Sequence, residues 1–248
     1  MTAIRKSAAT ALFVAVAASV LLILIPRFVP SLYWIGWPFQ WLFTLCHELG
    51  HGVAALVSGG GFEKLVVFAD GSGVATTSRD PSSRVQAAFI AAAGPLGPPL
   101  VAALLFVLAR APKTAQAALW VLVIFLATVL LLWVRNPFGI MLVLALAGLL
   151  SLAARMLSAN AAQTLLCFLA VQLCLATLTR ADYLFTTTAR TGAGEMASDT
   201  AQIAQALWLP AFVWGAGIAV ISALVLIGGL ALFLSALRRG PGPGPIHG

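Results

Sequence analysis

Charged residues are scarce in this sequence. Of its 248 residues, only 8% are Asp, Glu, Lys or Arg, whereas 61% are hydrophobic and the mean hydropathy is +1.03. A soluble domain of this length carries roughly a quarter charged residues, because its surface faces water. The shortage therefore excludes an ordinary water-soluble domain and makes the lipid bilayer the natural solvent of the chain.

Histidine, cysteine and acidic residues are also few, with 3 His, 3 Cys and 7 Asp or Glu. The cysteines, Cys46, Cys167 and Cys174, lack the paired spacing of a zinc knuckle or a disulfide framework, so both are excluded. Three histidines cannot supply the several histidine clusters that a membrane desaturase or hydroxylase needs. The few acids argue against an ion transporter, which uses paired intramembrane acids as a relay.

The net charge of +7 comes from basic residues that mostly lie between apolar runs. Arg5 and Lys6 precede the first run, and Arg238 and Arg239 follow the last. Basic residues at the ends of membrane spans lie at the level of the lipid headgroups. A nucleic-acid site would need them clustered on one folded face, so the pattern predicts no nucleic-acid partner.

The hydrophobic residues are concentrated in runs long enough to cross a membrane. About 20 helical residues span the hydrocarbon core. The pattern therefore predicts an all-α polytopic membrane protein of about 6–7 transmembrane helices, in a single integral-membrane domain over residues 1–239. The runs lie at about 8–25, 37–57, 85–109, 116–134, 138–154, 161–182 and 207–236.

Three polar segments interrupt or follow these runs. Residues 62–78 contain extended stretches on both sides of Asp70-Gly71-Ser72-Gly73, which predicts a small membrane-surface β-hairpin after the second span. Residues 183–206 predict a loop with a helical end. The Gly- and Pro-rich residues 240–248 predict a flexible tail.

The second run contains the motif His47-Glu48-Leu49-Gly50-His51. Residues four apart on a helix are rotated by about 40° and lie one turn apart. Both imidazoles can therefore bind one tetrahedral Zn²⁺ from the same face of a helix. Glu48 can reach a water at the metal and act as its general base without being a ligand. The spacing predicts a zinc-dependent hydrolytic site.

A purely structural role is the alternative interpretation of the motif, with both histidines in helix–helix hydrogen bonds. Two of the chain's three histidines fall in this motif, however. A glutamate within an apolar span also costs several kcal/mol unless it has a partner. Both observations favour the zinc site.

A third protein ligand is needed, because a catalytic zinc keeps its fourth position for water. We choose Asp182, which ends the sixth run on the same membrane side as the end of the second. The alternative for Asp182 is a solvated cap beside Arg180. Asp199, in the following loop, is the second choice, and Asp70 is typical of a turn. The other acidic candidates are Glu63, Asp80 and Glu195.

The number of spans predicts which segments share a side of the membrane. With seven spans, the second, fourth and sixth end on the same side as the hairpin and the loop after residue 182. A slight excess of Lys and Arg predicts that this side is cytoplasmic. We therefore expect a multi-pass protein of a cell (inner or plasma) membrane, with the active site nearer the cytoplasm.

The chain resembles the site-2 protease family of intramembrane zinc metalloproteases, in particular its compact B-like branch. The resemblance depends on Cys46-His47-Glu48-Leu49-Gly50-His51-Gly52 in an apolar helix, followed by a glycine-rich β segment. Ala93-Gly94-Pro95-Leu96 is similar to the family's glycine–proline element. Arg135-Asn136-Pro137-Phe138-Gly139 is similar to its asparagine–proline region.

The resemblance implies one metalloprotease-like domain over residues 1–239 that hydrolyses peptide bonds at a Zn²⁺ within the bilayer. Its partners would be transmembrane protein or peptide substrates, presented as strands to the edge of the hairpin. Asn136 would hold the substrate or orient the site.

The sequence departs from the family in one respect. The family places an aspartate and a glycine shortly after the asparagine and proline, and that aspartate is the third ligand. Here Asn136-Pro137 is followed by residues 138–143, which contain no acid. Either Asp182 or Asp199 takes that role, or the site is incomplete. An incomplete site would make the chain a non-proteolytic pseudoprotease that binds or escorts membrane partners.

Overall fold

The computed structural model describes residues 3–77 and 82–238. The predicted tail at 240–248, the end of the predicted hairpin segment at Ser78 and the candidate Asp80 lie outside the described residues. The strands are β1 (Phe62–Val67), β2 (Gly73–Thr77), β3 (Thr188–Thr191) and β4 (Gly194–Ala197). The helices are α1 (Ala3–Phe28), α2 (Trp37–Val57), α3 (Arg84–Leu108), α4 (Pro112–Leu132), α5 (Pro137–Met156), α6 (Ala159–Thr179), α7 (Asp199–Leu207) and α8 (Ala211–Arg238).

Six helices in the described part of the chain are long and apolar enough to cross a membrane, namely α1, α3, α4, α5, α6 and α8. This confirms an all-α, multi-pass integral membrane protein within the predicted count. The second apolar run, which we expected to span, forms α2 but is not among the six. Its 21 residues are sufficient in length, but the polar side chains of the motif lower its hydropathy.

Serine and proline residues set several helix boundaries. Ser83, Ser158 and Ser198 are N-caps of α3, α6 and α7, and each accepts a hydrogen bond from a backbone N–H in the first turn. Pro112 and Pro137 begin α4 and α5, where the missing N–H costs nothing. These caps explain why long apolar stretches divide into separate helices at the observed positions.

Helix α3 lies at the centre of the molecule and packs against α2, α6, α7 and α8. Glycines allow its close approach to α2. A Cβ at Gly97 would collide with the carbonyl oxygen of Cys46, and a Cβ at Gly50 would collide with that of Ala93. Small residues at helix contacts are typical of membrane proteins, where packing replaces the hydrophobic effect between helices.

The hairpin predicted at 62–78 is present as the antiparallel pair β1–β2. Its first strand, β1, is paired on both sides, because its other edge contacts the connection between α4 and α5. There the Leu65 N–H donates to the Trp133 carbonyl at 2.7 Å, and the Arg135 N–H donates to the Leu65 carbonyl at 3.1 Å. Its second strand has β1 as its one strand neighbour among the described residues. No other described strand therefore pairs with the outer edge of β2, although the Ala75 backbone N–H contacts the Glu48 carboxylate.

The segment predicted as a loop with a helical end contains a second hairpin, β3–β4, followed by α7. The helical end is confirmed. The strands were not predicted, because each has only four residues and neither has an alternating apolar pattern. At the hairpin tip, Gly192 N–H donates to the Ser72 hydroxyl at 2.9 Å. The first hairpin thus contacts the connection after α4 through Leu65, and the second hairpin contacts the first through Gly192.

The substitution Gly97→Ala tests the contact between α2 and α3. Because the new methyl group meets backbone rather than a flexible side chain, we expect the free energy of unfolding to fall by about 1–3 kcal/mol. Gly148→Ala in α5 is the matched control, since its Cβ would have no neighbour within 4 Å. Denaturant unfolding in detergent measures both, and equal stability of the two variants would contradict the packing argument.

Candidate active site

Helix α2 presents the two histidines of the motif on one face, as the four-residue spacing predicts. The Nε2 atoms of His47 and His51 lie 3.2 Å apart. The Nδ1 atom of His51 lies 2.8 Å from the carbonyl oxygen of Ile90 in α3. A carbonyl oxygen only accepts, so Nδ1 carries a proton and Nε2 is the ring atom that faces His47 and Asp199.

Asp199, the first residue of α7, meets both histidines. Its Oδ2 lies 3.0 Å from His47 Nε2 and its Oδ1 lies 3.3 Å from His51 Nε2, and the residue is only 4% exposed. Burial acts to raise the pKa of the Asp199 carboxyl, but the imidazoles of His51 and His47 outweigh it and hold that pKa well below its usual range. The carboxylate is therefore ionised where it meets the two rings.

One metal ion could be held by these three side chains. One ligand atom from each lies within 4.8 Å of the others. Two imidazoles and one carboxylate are a ligand set that zinc takes in hydrolytic enzymes. The cluster has outer partners as well, since Tyr183 Oη donates to Asp199 Oδ2 at 3.1 Å and Ile90 accepts from His51. Such partners orient metal ligands.

Space for the His51 ring depends on a glycine in α3. A Cβ at Gly94 would collide with His51 Nε2. The next residue, Pro95, has no N–H, so the carbonyl four residues earlier, that of Ala91, lacks its helical donor. Gly94 therefore leaves room for the His51 ring, whose Nδ1 meets the carbonyl oxygen of Ile90 in the same helix.

Glu48 lies beside the cluster without belonging to it. The residue is 7% exposed, and a Cβ at Gly73 in β2 would lie 2.7 Å from Glu48 Cγ. The close contact with β2 places the carboxyl group between the motif and the free strand edge. Glu48 is thus outside the group of three side chains that could share one metal ion.

The cluster lies in a cleft of about 940 Å³. One wall is β2 and the turn before it, and the opposite wall is the β3–β4 hairpin. The turn is held to α2, because the Thr44 hydroxyl donates to Gly71 (2.5 Å) and Trp41 Nε1 donates to Ala69 (3.2 Å). The strand edge, Glu48 and the three-residue cluster therefore share one cavity.

The sequence profile of the Peptidase M50B-like family matches residues 8–229. This chain belongs to that family. The match covers most of the chain and includes both hairpins and every member of the cluster. Searches of curated proteins and of solved structures gave no match.

Membership of the Peptidase M50B-like family makes the chain a membrane metalloprotease. It confirms the resemblance to the B-like branch of the site-2 proteases. The family places the substrates of such enzymes in the membrane, in agreement with the apolar helices that surround the cleft.

In this M50B-like chain, the acid that contacts both histidines is Asp199, which was our second choice for the third metal ligand. Our first choice was Asp182. Asp182 lines the cleft but is exposed, in the 3₁₀ helix Ala181–Phe185 that follows α6. The reason is the unforeseen β3–β4 hairpin, which turns the chain back so that the start of α7 reaches α2. Asp182 is exposed and close in sequence to Arg180, which fits its alternative role as a solvated cap.

Asn136 is engaged with β1. Its Nδ2 donates to the Val67 carbonyl at 2.7 Å and its Oδ1 accepts from the Val67 N–H at 3.2 Å. Asn136 is not among the residues that line the cleft. Its predicted role in substrate binding stays a prediction, and the contacts themselves indicate that it holds the hairpin to the start of α5.

Two contributors to the site were missed from the sequence. Tyr183 is one of only two tyrosines and directly follows Asp182, so its rarity was an available signal. The backbone carbonyl of Ile90 has no sequence signal of its own beyond its place one turn before Pro95.

Tyr183→Phe tests whether the tyrosine orients Asp199. Loss of the hydroxyl removes a hydrogen bond to a carboxylate that faces both histidines, and we expect metal affinity to fall about 10–100-fold. Competition titration with a fluorescent zinc chelator measures the affinity. Tyr33→Phe removes the only other tyrosine hydroxyl, at an exposed position, and is expected to leave the affinity unchanged. The same affinity in both variants would exclude the orienting role.

Proposed function

We propose that this protein is an intramembrane zinc metalloprotease that hydrolyses peptide bonds in or near the transmembrane segments of membrane-protein substrates. The observation that carries the proposal is the convergence of His47, His51 and Asp199, with Glu48 beside them, in a cleft bordered by a free strand edge. Membership of a membrane metalloprotease family supports the same reaction class.

Zinc is the metal that the ligand set favours. Two neutral imidazole nitrogens and one carboxylate oxygen leave a fourth tetrahedral position for water or substrate. When bound, Zn²⁺ would lower the pKa of water and polarise a peptide carbonyl. The low pKa of Asp199 keeps its carboxylate available as a ligand at neutral pH, and the contacts of Tyr183 and Ile90 hold two of the ligands in orientation.

Glu48 acts in this proposal as the general base. It takes a proton from the attacking water and transfers it to the amide nitrogen that leaves. Its buried position beside β2 supports this role, because a substrate paired with that strand would lie within reach of the carboxylate.

The free edge of β2 supports an extended substrate. A peptide that adds as a strand gains backbone hydrogen bonds regardless of its side chains. The other strand of this hairpin, β1, is already paired on both sides, so within this hairpin β2 offers the edge at the cleft wall. A transmembrane helix must unwind locally to pair in this way, which favours substrates with weak helical segments.

The depth of the site supports cleavage near the membrane surface. From His51 to the end of α2 at Val57 is about 9 Å of helix. The cleft is therefore sunk below the end of the helix, on the side that carries both hairpins. We propose that this side faces the cytoplasm of a cell (inner or plasma) membrane, on the basis of the Lys and Arg distribution.

The pseudoprotease alternative rested on the missing acid after Asn136-Pro137. In the proposal Asp199 supplies that third ligand, and the argument for an incomplete site no longer holds. No other feature of the described residues favours an escort function.

Glu48→Gln tests the proposed chemistry. The amide cannot accept the proton, so we expect cleavage to fall by at least about 10²-fold while zinc content is unchanged. His47→Ala is expected to lose both cleavage activity and bound zinc. Labelling of new N-termini in membranes of cells that express each form, followed by mass spectrometry, measures cleavage within apolar segments. The same fragments from wild type and Glu48→Gln would overturn the proposal.

Asp199→Ala and Asp182→Ala together test the third ligand. Removal of one of three protein ligands should abolish stoichiometric zinc in the Asp199 variant, whereas the exposed Asp182 should be dispensable for metal. Metal analysis of the purified proteins by mass spectrometry measures both. Full zinc in Asp199→Ala with loss in Asp182→Ala would reverse the assignment.

A further inference from the structure

Arg180 is a half-buried cation in the wall of the cleft that has no part in the chemistry described so far. It follows the last residue of α6, and its guanidinium Cζ lies 5.3 Å from the ring centroid of Phe43 in α2. The ring of Phe43 in turn lies 6.3 Å from that of His47. The contacts hold the guanidinium on the side of the cleft where the motif begins.

The guanidinium has no ion pair in the described part of the chain, and its electrostatic neighbours there are Asp182 and Tyr33. None of the ion pairs found there includes Arg180, and its side chain forms no hydrogen bond there. Asp182 is two residues away, yet its carboxylate does not form an ion pair with Arg180. A charged group in a membrane-spanning segment is costly without a partner, so its five N–H donors point to a ligand.

Arg180 lines two neighbouring cavities, and this position limits which part of a bound substrate it can contact. A smaller chamber of about 90 Å³ adjoins the main cleft, and both are lined by Phe43, His47, Arg180 and Tyr183. These four residues therefore line both cavities, whereas no residue of β2 lines the smaller one. A peptide that crosses from β2 into the chamber would carry its carbonyl oxygen past the guanidinium.

We propose that Arg180 is a catalytic residue that donates a hydrogen bond to the carbonyl oxygen of the bond being cleaved, an inference that rests on the proposed function. As the water oxygen adds to the carbonyl carbon, the π electrons move to the carbonyl oxygen and make it an anion. Arg180 stabilises this anion and keeps all its protons. Collapse of the anion restores the C=O bond and expels the amine, which takes the proton that Glu48 accepted from water.

Arg180 suits this role better than the other polar side chains near the cluster. The hydroxyl of Tyr183 already donates to Asp199, and both polar atoms of Asn136 are bound to Val67. Arg190 lines the same cleft, but its guanidinium is paired with Glu195 at 2.6 Å and is exposed. Arginine remains charged at any working pH and can donate two hydrogen bonds in a fixed geometry.

Binding of a tetrahedral anion provides the test. The probe is a pool of short phosphinic pseudopeptides with apolar side chains, in which a phosphinate replaces one amide. The same peptides with an ordinary amide mimic the ground state. Affinities are measured on zinc-loaded, full-length protein in a phospholipid-free detergent, and zinc content is checked for each variant.

Arg180→Gln is expected to bind the phosphinates about 10²-fold more weakly than wild type, because a donor to a developing oxyanion contributes this much. Binding of the amide peptides should be unchanged, since the interaction belongs to the transition state. Arg180→Lys keeps the charge and should be intermediate. Arg190→Gln is the matched control, because its guanidinium is already neutralised by Glu195, and should bind both probes as wild type does.

Three results would overturn the inference. Unchanged phosphinate affinity in Arg180→Gln would exclude the contact. An equal loss for phosphinate and amide peptides would make Arg180 a residue that shapes the cleft. An effect that requires added phospholipid would assign the guanidinium to a lipid phosphate. Failure of the zinc-loaded wild type to bind phosphinates would instead refute the proposed function itself, and the inference with it.

Discussion

The buried contact of Asp199 with His47 and His51 is the interaction on which the rest of the site depends. A carboxylate this deeply buried is tolerated only where opposite charge or a metal compensates the lost hydration. The histidines alone come from one helix and cannot define a three-ligand site. The segment from α6 to α7 therefore has to return to α2. The β3–β4 hairpin reverses the chain direction between these helices, so that the start of α7 reaches α2.

Close helix packing is the second constraint. Gly50, Gly94 and Gly97 allow α2 and α3 to approach until backbone meets backbone, and the Ile90 carbonyl then reaches His51. In a membrane protein such contacts supply stability that water would otherwise provide through the hydrophobic effect. The same glycines that hold the two helices together thus orient a candidate metal ligand, so stability and chemistry depend on the same few positions.

The two hairpins give the cleft its asymmetry. The first is attached to α2 by its turn and to the α4–α5 connection by β1, so its free edge is held in a fixed position beside Glu48. The second contacts the first through Gly192 and Ser72 across the top of the cleft. Backbone recognition at β2 and the proposed contact with Arg180 at the end of α6 would let the enzyme accept varied apolar sequences while still locating the carbonyl group.

The sequence by itself determined the membrane character, the helical class, the first hairpin and the pair of histidines. Each of these follows from composition or from local periodicity, and the four-residue spacing needs only a helix to place both rings on one face. The identity of the third acid was decided by tertiary structure. Asp182 and Asp199 are both polar residues after the same apolar run, and only the return of the chain through two four-residue strands separates an exposed acid from a buried one. The contacts of Tyr183, Ile90 and Arg180 were likewise beyond sequence reasoning, because they join residues from different helices whose approach is set by packing.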